Sequence, residues 1–147
     1  MLCKRCINST WTVTAEVSTK DRYRTTLGLC LAAIINQTRP PDKLVLYDDS
    51  DERIPAEQLC ETSPFEGLFK LAADKGIEWS IQSTPRLGQV ANHQHALDTA
   101  TTDFIWRVDD DEVPEPDCLE ILLFLTLCRL SGRDESNRLL IREEART

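Results

Sequence analysis

The chain has 147 residues, a formal net charge of −8, 41% hydrophobic residues and 29% charged residues. This length fits one domain that buries roughly two-thirds of its unfolded surface. The acidic balance argues against a general basic surface for nucleic acid, but it does not exclude a nucleotide, because a metal ion inverts the local charge of an acidic site. No apolar signal segment follows Met1, and the apolar run at 119–130 is too short to span a bilayer. We therefore predict a cytoplasmic protein without a membrane span.

The first half of the chain predicts two strands around one helix. Residues 11–17 are rich in β-branched side chains, which is typical of a strand, and residues 18–22 are turn-like. Thr25 is the expected cap of a helix whose apolar positions follow helical spacing up to residue 35. Residues 43–47 form a short apolar run, as expected of a buried parallel strand.

The second half repeats this alternation. After an irregular or weakly helical connection at 52–62, we predict a helix at 65–74 and a strand at 77–81. A helix at 89–100, a strand at 103–109 and a helix at 117–129 follow. This order predicts a three-layer α/β/α fold with a mostly parallel central sheet, of the Rossmann-like kind. The expected parts are an N-terminal extension (1–10), one α/β domain (11–130) and a charged tail (131–147).

Cysteine and histidine give little support for a zinc site. Cys3 and Cys6 have the spacing of half a site, but two ligands do not close a tetrahedron and no second pair stands nearby. The cysteines at 30, 118 and 128 fall in helix-like patterns, where a free cysteine acts as a small core residue. His93 and His95 point to nearly opposite faces of a helix, so they do not chelate together. We expect exposed positions for them, and the alternative is that one of them lines the donor pocket. Trp79 and Trp106 are predicted core residues.

Acidic residues follow two of the predicted strands. Asp48 and Asp49 end the second strand, and Asp109-Asp110-Asp111-Glu112 end the fourth, just before Pro114. The carboxyl ends of parallel strands share one edge, where open α/β sheets place their ligands. Carboxylates spaced as Asp-x-Asp suit Mg²⁺ or Mn²⁺, which in turn clamps phosphate oxygens. A solvated acidic loop is the alternative, but two clusters at equivalent strand ends favour a cation or phosphosugar site.

Several short motifs stand in a fixed order along residues 11–124. They are Ser18-Thr19-Lys20-Asp21-Arg22, Gln37-Thr38, Val45-Leu46-Tyr47-Asp48-Asp49-Ser50, Gly88 with Asn92, and Asp109-Asp110-Asp111 with Pro114. In this order and spacing the chain resembles the donor-binding half of family 2 glycosyltransferases. The resemblance implies a GT-A-like fold, a bound nucleotide-diphospho-sugar (most often a UDP-sugar), a divalent metal, and transfer of the sugar to an acceptor hydroxyl, usually with inversion.

The same resemblance implies roles for individual residues. Thr19 and Asp21 would lie near the nucleobase and ribose, and Asp49 would hydrogen-bond the base. Asp109 would meet the ribose or sugar, and Asp109 and Asp111 would form the metal site. A cation there offsets the charge that builds on the departing nucleoside diphosphate.

The chain departs from the family pattern near the diphosphate. The family usually has an arginine before the asparagine of the third helix, whereas here Ala91 precedes Asn92. We keep Asn92 as a donor-binding candidate and consider Arg86 a substitute for the missing cation. Lys20 and Arg22 are further candidates for the diphosphate.

A second departure concerns the acceptor side. Family members continue into a segment that carries the acceptor site and a carboxylate general base, and no such segment is found in this sequence. Glu143-Glu144 has the pattern of a solvated helix surface. An alternative is therefore a non-catalytic fragment that binds the sugar donor, or one completed by a partner chain. A receiver-like signalling domain, phosphorylated within Asp48-Asp49, is a further alternative that the triple-acid cluster fits poorly. The absence of phosphate-loop, dinucleotide and serine-hydrolase motifs disfavours those enzyme classes.

Overall fold

The computed structural model describes residues 11–51, 54–84 and 86–131. Within these ranges, four parallel strands form one sheet in the order β3-β2-β1-β4. The strands are β1 (Val13–Thr19), β2 (Lys43–Asp48), β3 (Glu78–Ser83) and β4 (Phe104–Asp109). The helices are α1 (Leu27–Ile35), α2 (Ala56–Cys60), α3 (Phe65–Asp74), α4 (Gln89–Thr99) and α5 (Cys118–Ser131). The predicted parallel α/β architecture is confirmed.

Most predicted elements are present, but some boundaries differ. Helix α3 has the predicted bounds, whereas β1 lies two residues further along the chain than predicted. Thr25 does not cap α1; the residue before the helix is Thr26, whose side chain makes no capping bond. The Thr25 hydroxyl instead donates to the Arg22 carbonyl at 3.3 Å, because residues 22–27 form a tight turn. The short helix α2 lies in the connection that was expected to be irregular or weakly helical.

One face of the sheet is apolar. Alternate residues of the central strand, Val13, Ala15 and Val17, are fully buried on this face against α1 and α3. Trp79 packs on Phe69 of α3 with ring centroids 4.3 Å apart, and Trp106 lies in the same core. The prediction that these two tryptophans are core residues is confirmed. Burial of aliphatic and aromatic side chains on this scale supplies the main favourable term for folding.

The opposite face of the sheet is polar and is covered by α4. The residues of β1 that point this way are Thr14, Glu16 and Ser18, all buried. Asn92 and His93 of α4 bond to the last two of them. The expectation that His93 is exposed is wrong, since only 9% of it is exposed. His95 is exposed and rests edge-on against the ring of Tyr47.

The Gln37-Thr38 motif fixes the way the chain leaves the acidic cluster after β4. The Gln37 side chain is buried, donates to the Glu115 carbonyl at 2.7 Å and accepts the Leu119 amide at 2.9 Å. The backbone of Thr38 donates to the Pro116 carbonyl at 2.7 Å. These bonds join the end of α1 to the start of α5, and so hold the acidic turn between β4 and α5 in place.

Cys30, Cys60 and Cys118 are free thiols. Cys30 is buried in the core, as predicted, but Cys128 is exposed, so its assignment to the core is wrong. The reason is that α5 turns this side of its last turns to solvent. Cys3, Cys6 and the predicted tail beyond α5 lie outside the described residues. Among the helices described, none has both the length and the apolar character needed to cross a membrane.

Candidate functional site

The loops that follow β1 and β4 meet at the carboxyl edge of the sheet. The Thr19 hydroxyl donates to Asp110 Oδ2 at 2.7 Å, and the Lys20 amide approaches the same oxygen at 3.4 Å. Thr19 is buried, whereas Asp110 is only half-buried. Asp110, the middle acid of the cluster, was not among the candidates that sequence reasoning selected. The structure shows that it is the acid that reaches across to β1.

The loops after β1 and β2 are tied to each other by reciprocal bonds. The Asp21 amide donates to Ser50 Oγ at 2.8 Å, and the Asp51 amide donates to Asp21 Oδ1 at 3.1 Å. Asp21 has a positive φ of 57°, a conformation that aspartate adopts more readily than most residues. Asp21 is thereby held beside the acids that end β2. These loops flank the ends of the two central strands.

Asp49 is a buried carboxylate with one oxygen unused. It is 6% exposed, and its Oδ2 accepts the Gly88 amide at 3.1 Å. Its Oδ1 is buried and has no hydrogen-bond partner within the described ranges. Gly88 has a φ of 80°, a region that favours glycine, and this conformation directs its amide to the carboxylate. An unpaired buried acceptor is unfavourable, so this oxygen is suited to an N–H group of a ligand.

Helix α4 brings two further polar side chains to the strand ends. Gln89 Nε2 donates to Asp109 Oδ1 at 2.9 Å, and Asn92 Nδ2 donates to Ser18 Oγ at 3.0 Å. Asn92 is fully buried, so it lies beneath the edge and bonds the strand instead of facing outward. Asn92 was predicted to contact the sugar donor directly. That contact stays a prediction.

The cationic candidates lie on the rim. Arg86 Nε is 3.1 Å from Asp51 Oδ1, and Lys20 Nζ is 3.7 Å from Asp51 Oδ2. Both cations are largely exposed, so these ion pairs hold them weakly and leave them free to turn toward a phosphate. Arg22 is exposed, and its backbone carbonyl accepts hydrogen bonds from the amides of Thr25 and Leu27 in the turn before α1.

A cation at the acidic cluster would need ligands besides the side chains described. No group of three His, Cys, Asp or Glu side chains in residues 11–51, 54–84 and 86–131 is arranged to hold a metal on its own. Asp111 is exposed and Asp109 is half-buried. Mg²⁺ and similar ions commonly take one or two carboxylates and complete their shell with phosphate oxygens and water. The carboxylate oxygens present match that arrangement.

The Cys30 thiol lies close to the backbone of the acidic cluster. Its Sγ donates to the Asp109 carbonyl at 3.4 Å. Burial, and next the carboxylate of Asp110 followed by the other acids of the cluster, raises the pKa of Cys30 to about 12. A bound cation would neutralise part of this negative charge.

The fold and these groups define a class of protein. A parallel sheet with polar and acidic groups at the carboxyl ends of its strands is typical of open α/β proteins, which place their ligands at this edge. The model of the glycosyl transferase family 2 matches residues 17–125. The chain therefore belongs to glycosyl transferase family 2, which disfavours the receiver-like alternative. Comparison with curated proteins gave no match.

Solved structures share this fold at low sequence identity. TarS of S. aureus is 19% identical with a TM-score of 0.52, and the match covers 76% of this chain and 18% of TarS. A structure of TarS 1-349 in complex with UDP is 16% identical with a TM-score of 0.51, covering 76% of this chain and 30% of that one. The mannosyltransferase PcManGT from Pyrobaculum calidifontis, in complex with GDP-Man and Mn²⁺, is 21% identical with a TM-score of 0.55, covering 83% and 37%. The chain thus spans well under half the length of these proteins.

Sequence reasoning missed several residues that shape this edge. They are Glu16, Ser18, Gln89, His93 and Asp110. One signal was available: Glu16 is a charged residue in the middle of a β-branched strand, and a buried charge usually has a partner. Ser18, Gln89 and His93 depend on which side of α4 faces the sheet, and a helix with polar residues on several sides does not reveal this. Asp110 depends on how the turn after β4 directs it.

Proposed function

We propose that this domain binds a nucleotide-diphospho-sugar together with Mg²⁺ or Mn²⁺, for transfer of the sugar to an acceptor hydroxyl. Among such donors we propose a UDP-sugar. The observation that carries the proposal is the buried oxygen of Asp49 at the carboxyl edge, which has no hydrogen-bond partner among the residues that the structure describes. A nucleobase with an N–H group supplies the hydrogen bond that this oxygen lacks. Family membership over residues 17–125 supports the same function.

The nucleoside half of the ligand is assigned to the ends of β1 and β2. Asp49 accepts the base N–H, while its other oxygen stays bound to Gly88 at 3.1 Å. Asp21, fixed by its bonds to the loop after β2, and the Thr19–Asp110 pair lie beside it and offer acceptors for ribose hydroxyls. Carboxylates suit this task because they accept bonds from hydroxyl and N–H donors without any competing donor of their own.

The diphosphate half is assigned to the acids after β4. Asp109 and Asp111 would hold the cation, which supplies charge stabilisation for the departing nucleoside diphosphate. Gln89 orients the Asp109 carboxylate through its bond of 2.9 Å. Lys20 and Arg86 stand on the rim with exposed side chains and provide further positive charge for the phosphates.

The acceptor half is a separate part of the proposal. An inverting transfer needs a general base within reach of the acceptor hydroxyl. We assign no such base among the described residues, and Glu143-Glu144 lies outside them. We propose that the acceptor site and its base come from protein beyond this domain, in the same chain or in a partner.

A thermal-shift experiment tests binding of the nucleotide and the metal together. A ligand that binds only the folded state adds roughly 2.7 kcal/mol at a hundredfold excess over Kd, and each kcal/mol raises the melting temperature of such a domain by about 2–8 °C. UDP with Mn²⁺ should therefore raise it by several degrees. Mn²⁺ alone, or UDP with a chelator, should raise it much less, because each completes the coordination of the other.

Two variants identify the acids responsible. Asp111→Asn should abolish the joint shift and leave the ligand-free protein equally stable or slightly more stable, because one repelling charge is removed from the cluster. Asp117→Asn changes an exposed acid outside the edge and should keep the full shift. Equal shifts with and without Mn²⁺, or an unaltered shift in Asp111→Asn, would show that the acidic cluster is only a solvated turn.

A further inference from the structure

A buried acid–imidazole pair lies in the middle of the sheet's polar face. Glu16 is in the central strand and is 1% exposed, and His93 of α4 is 9% exposed. Glu16 Oε2 and His93 Nδ1 are 2.7 Å apart. The remaining atoms of the pair, Glu16 Oε1 and His93 Nε2, are buried with no partner among the residues described. Burying such polar groups costs free energy. We therefore expect a role for this pair beyond packing.

The pair belongs to a set of three bonds that join α4 to the strands. Gln89 bonds to Asp109, Asn92 to Ser18, and His93 to Glu16. Positions 89, 92 and 93 are spaced by three and four residues, so they share one face of the helix. Among the buried residues of α4, Ala96 is the apolar one, and the others are Asn92 and His93. Directional bonds, much more than apolar area, therefore set where α4 sits on the sheet.

The position of α4 determines two contacts at the edge. The side chain of Gln89, the first residue of α4, donates a hydrogen bond to the Asp109 carboxylate. The amide of Gly88, which precedes the helix, donates one to the Asp49 carboxylate. The Glu16–His93 pair lies one turn further along the helix and makes no contact of its own with the edge. A shift of α4 along or away from β1 would move both edge contacts together, because they stand at the same end of one rigid helix.

We propose that Glu16 and His93 are positioning residues: their buried bond seats α4 on β1 and thereby holds the carboxylates of Asp49 and Asp109 in place for the nucleotide-sugar. This inference rests on the proposed function, since it concerns the residues assigned to that ligand. Neither Glu16 nor His93 touches the ligand in this arrangement.

The charges around Glu16 give the pair a pH dependence. It is faced by His93 from α4, by Arg107 and Asp109 from β4, and by Tyr47 from β2. Burial raises the pKa of Glu16 above its ordinary value of 4.5; His93 and Arg107 act in the opposite direction, and Asp109 adds to the rise. Glu16 therefore keeps a proton while α4 is packed on β1 and releases it when α4 moves away from the sheet. The contribution of Glu16 should therefore make movement of α4 away from β1 easier as pH rises from 4.5 toward the raised value, and this contribution does not change further above it.

Hydrogen exchange of the ligand-free chain tests the proposal directly. The measured quantity is the protection of the Gly88 amide, which bonds to Asp49, compared with amides of β1 and β2. His93→Leu removes the bond and should speed exchange at Gly88 by at least about tenfold, a factor that corresponds to roughly 1.4 kcal/mol. His93→Asn keeps an amide group, which can donate or accept a hydrogen bond, near the position of Nδ1 and should restore protection. His95→Leu is the matched control on the exposed side of α4 and should exchange like the natural protein.

A second variant isolates the proton. Glu16→Gln keeps a hydrogen-bonding group of the same shape but does not titrate, so Gly88 should stay protected. Its protection factor, which is the exchange rate corrected for the intrinsic rate at each pH, should lose the pH dependence that Glu16 contributes. If His93→Leu does not fold, this loss of pH dependence alone decides the matter. Glu16→Gln with an unchanged pH dependence, or His93→Leu with uniformly faster exchange across the whole sheet, would overturn the proposal and leave the pair a general stabiliser.

The nucleotide provides an independent measurement. In His93→Leu the Kd of UDP with Mn²⁺ should weaken by a factor similar to that seen in exchange, while His93→Asn and His95→Leu stay close to the natural protein. An unchanged Kd in His93→Leu would overturn the positioning role. If the natural chain binds no nucleotide while the exchange results hold, the proposed function fails but the seating of α4 by Glu16 and His93 stands.

Discussion

Replacing Asp49 with asparagine should weaken nucleotide binding strongly and change stability little. In the ligand-free protein one oxygen of Asp49 accepts the Gly88 amide at 3.1 Å and the other is buried without a partner in the described part of the chain. Asparagine keeps the first bond through its carbonyl and puts an NH₂ group in place of the second oxygen. One unpaired buried polar group is thus exchanged for another, so the free energy of unfolding should change by less than about 1 kcal/mol.

The ligand experiences a larger change. A hydrogen bond from a base N–H to a buried carboxylate is worth about 1.5–3 kcal/mol, which corresponds to roughly a 10- to 150-fold change in Kd. In Asp49→Asn the base N–H would meet another N–H donor, so the whole of this bond is lost. Uracil presents an N–H at the position where cytosine presents an acceptor. Binding of UDP should therefore weaken far more than binding of CDP.

Isothermal titration calorimetry with Mn²⁺ present, on UDP and then on CDP, measures both effects, and a thermal melt measures the stability. Asp74→Asn, an exposed acid at the end of α3, is the matched control and should bind both nucleotides as the natural chain does. Equal weakening of UDP and CDP would refute a direct contact between Asp49 and the base. A large fall in the melting temperature of Asp49→Asn would refute the argument that asparagine leaves one buried polar group unpaired, as aspartate does.

Three further predictions concern the core and the edge. Thr19→Val removes the hydroxyl that donates to Asp110 at 2.7 Å and should lower the free energy of unfolding by about 1 kcal/mol, which urea denaturation measures. Phe69→Ala deletes a ring that is 3% exposed and should lower it by roughly 3–5 kcal/mol in the same assay. An alkylating reagent at pH 8 should modify the exposed Cys128 quickly and leave Cys30, with its pKa of about 12, unmodified, as mass spectrometry of the digested protein can show.

Each of these has a control or a contradicting outcome. Thr25→Val changes an exposed hydroxyl and should cause a smaller loss than Thr19→Val. Leu125→Ala, at a side chain that is 52% exposed, should leave stability nearly unchanged, in contrast to Phe69→Ala. Labelling of Cys30 at a rate comparable with Cys128 in the folded protein would contradict the burial and charge described for its thiol.

The sequence predicts the fold well because alternation of strands and helices is a local signal. Helix α3 is the clearest case, since its apolar spacing ends near Gly76 and its bounds match the prediction. The end of β1 was placed too early because Ser18 and Thr19 are polar and have a turn-like composition. Their hydroxyls bond to Asn92 and Asp110, which lie more than seventy residues away, so polarity there does not end the strand.

The candidate site was located by the acids at the strand ends, but the orientation of each acid was not predictable. Three consecutive aspartates differ only in how the turn after β4 directs them, and that turn is fixed from a distance by Gln37 and the start of α5. The sequence indicated Asp109 and Asp111 as the functional acids. In the structure, Asp110 is the acid that accepts a hydrogen bond from the Thr19 hydroxyl. Whether Asp109 and Asp111 bind metal stays a prediction.

The polar face beneath α4 has a consequence for how this protein can vary. An apolar interface accepts exchanges of similar volume at single positions, but a bond between two buried polar groups fails when one partner loses its hydrogen-bonding group. Positions 16 and 93, and likewise 18 and 92, should therefore accept apolar side chains mainly as matched pairs, with both partners made apolar together. In a library of random double variants, folded members altered at Glu16 should be enriched in compensating changes at His93, whereas the apolar face should show largely independent substitutions.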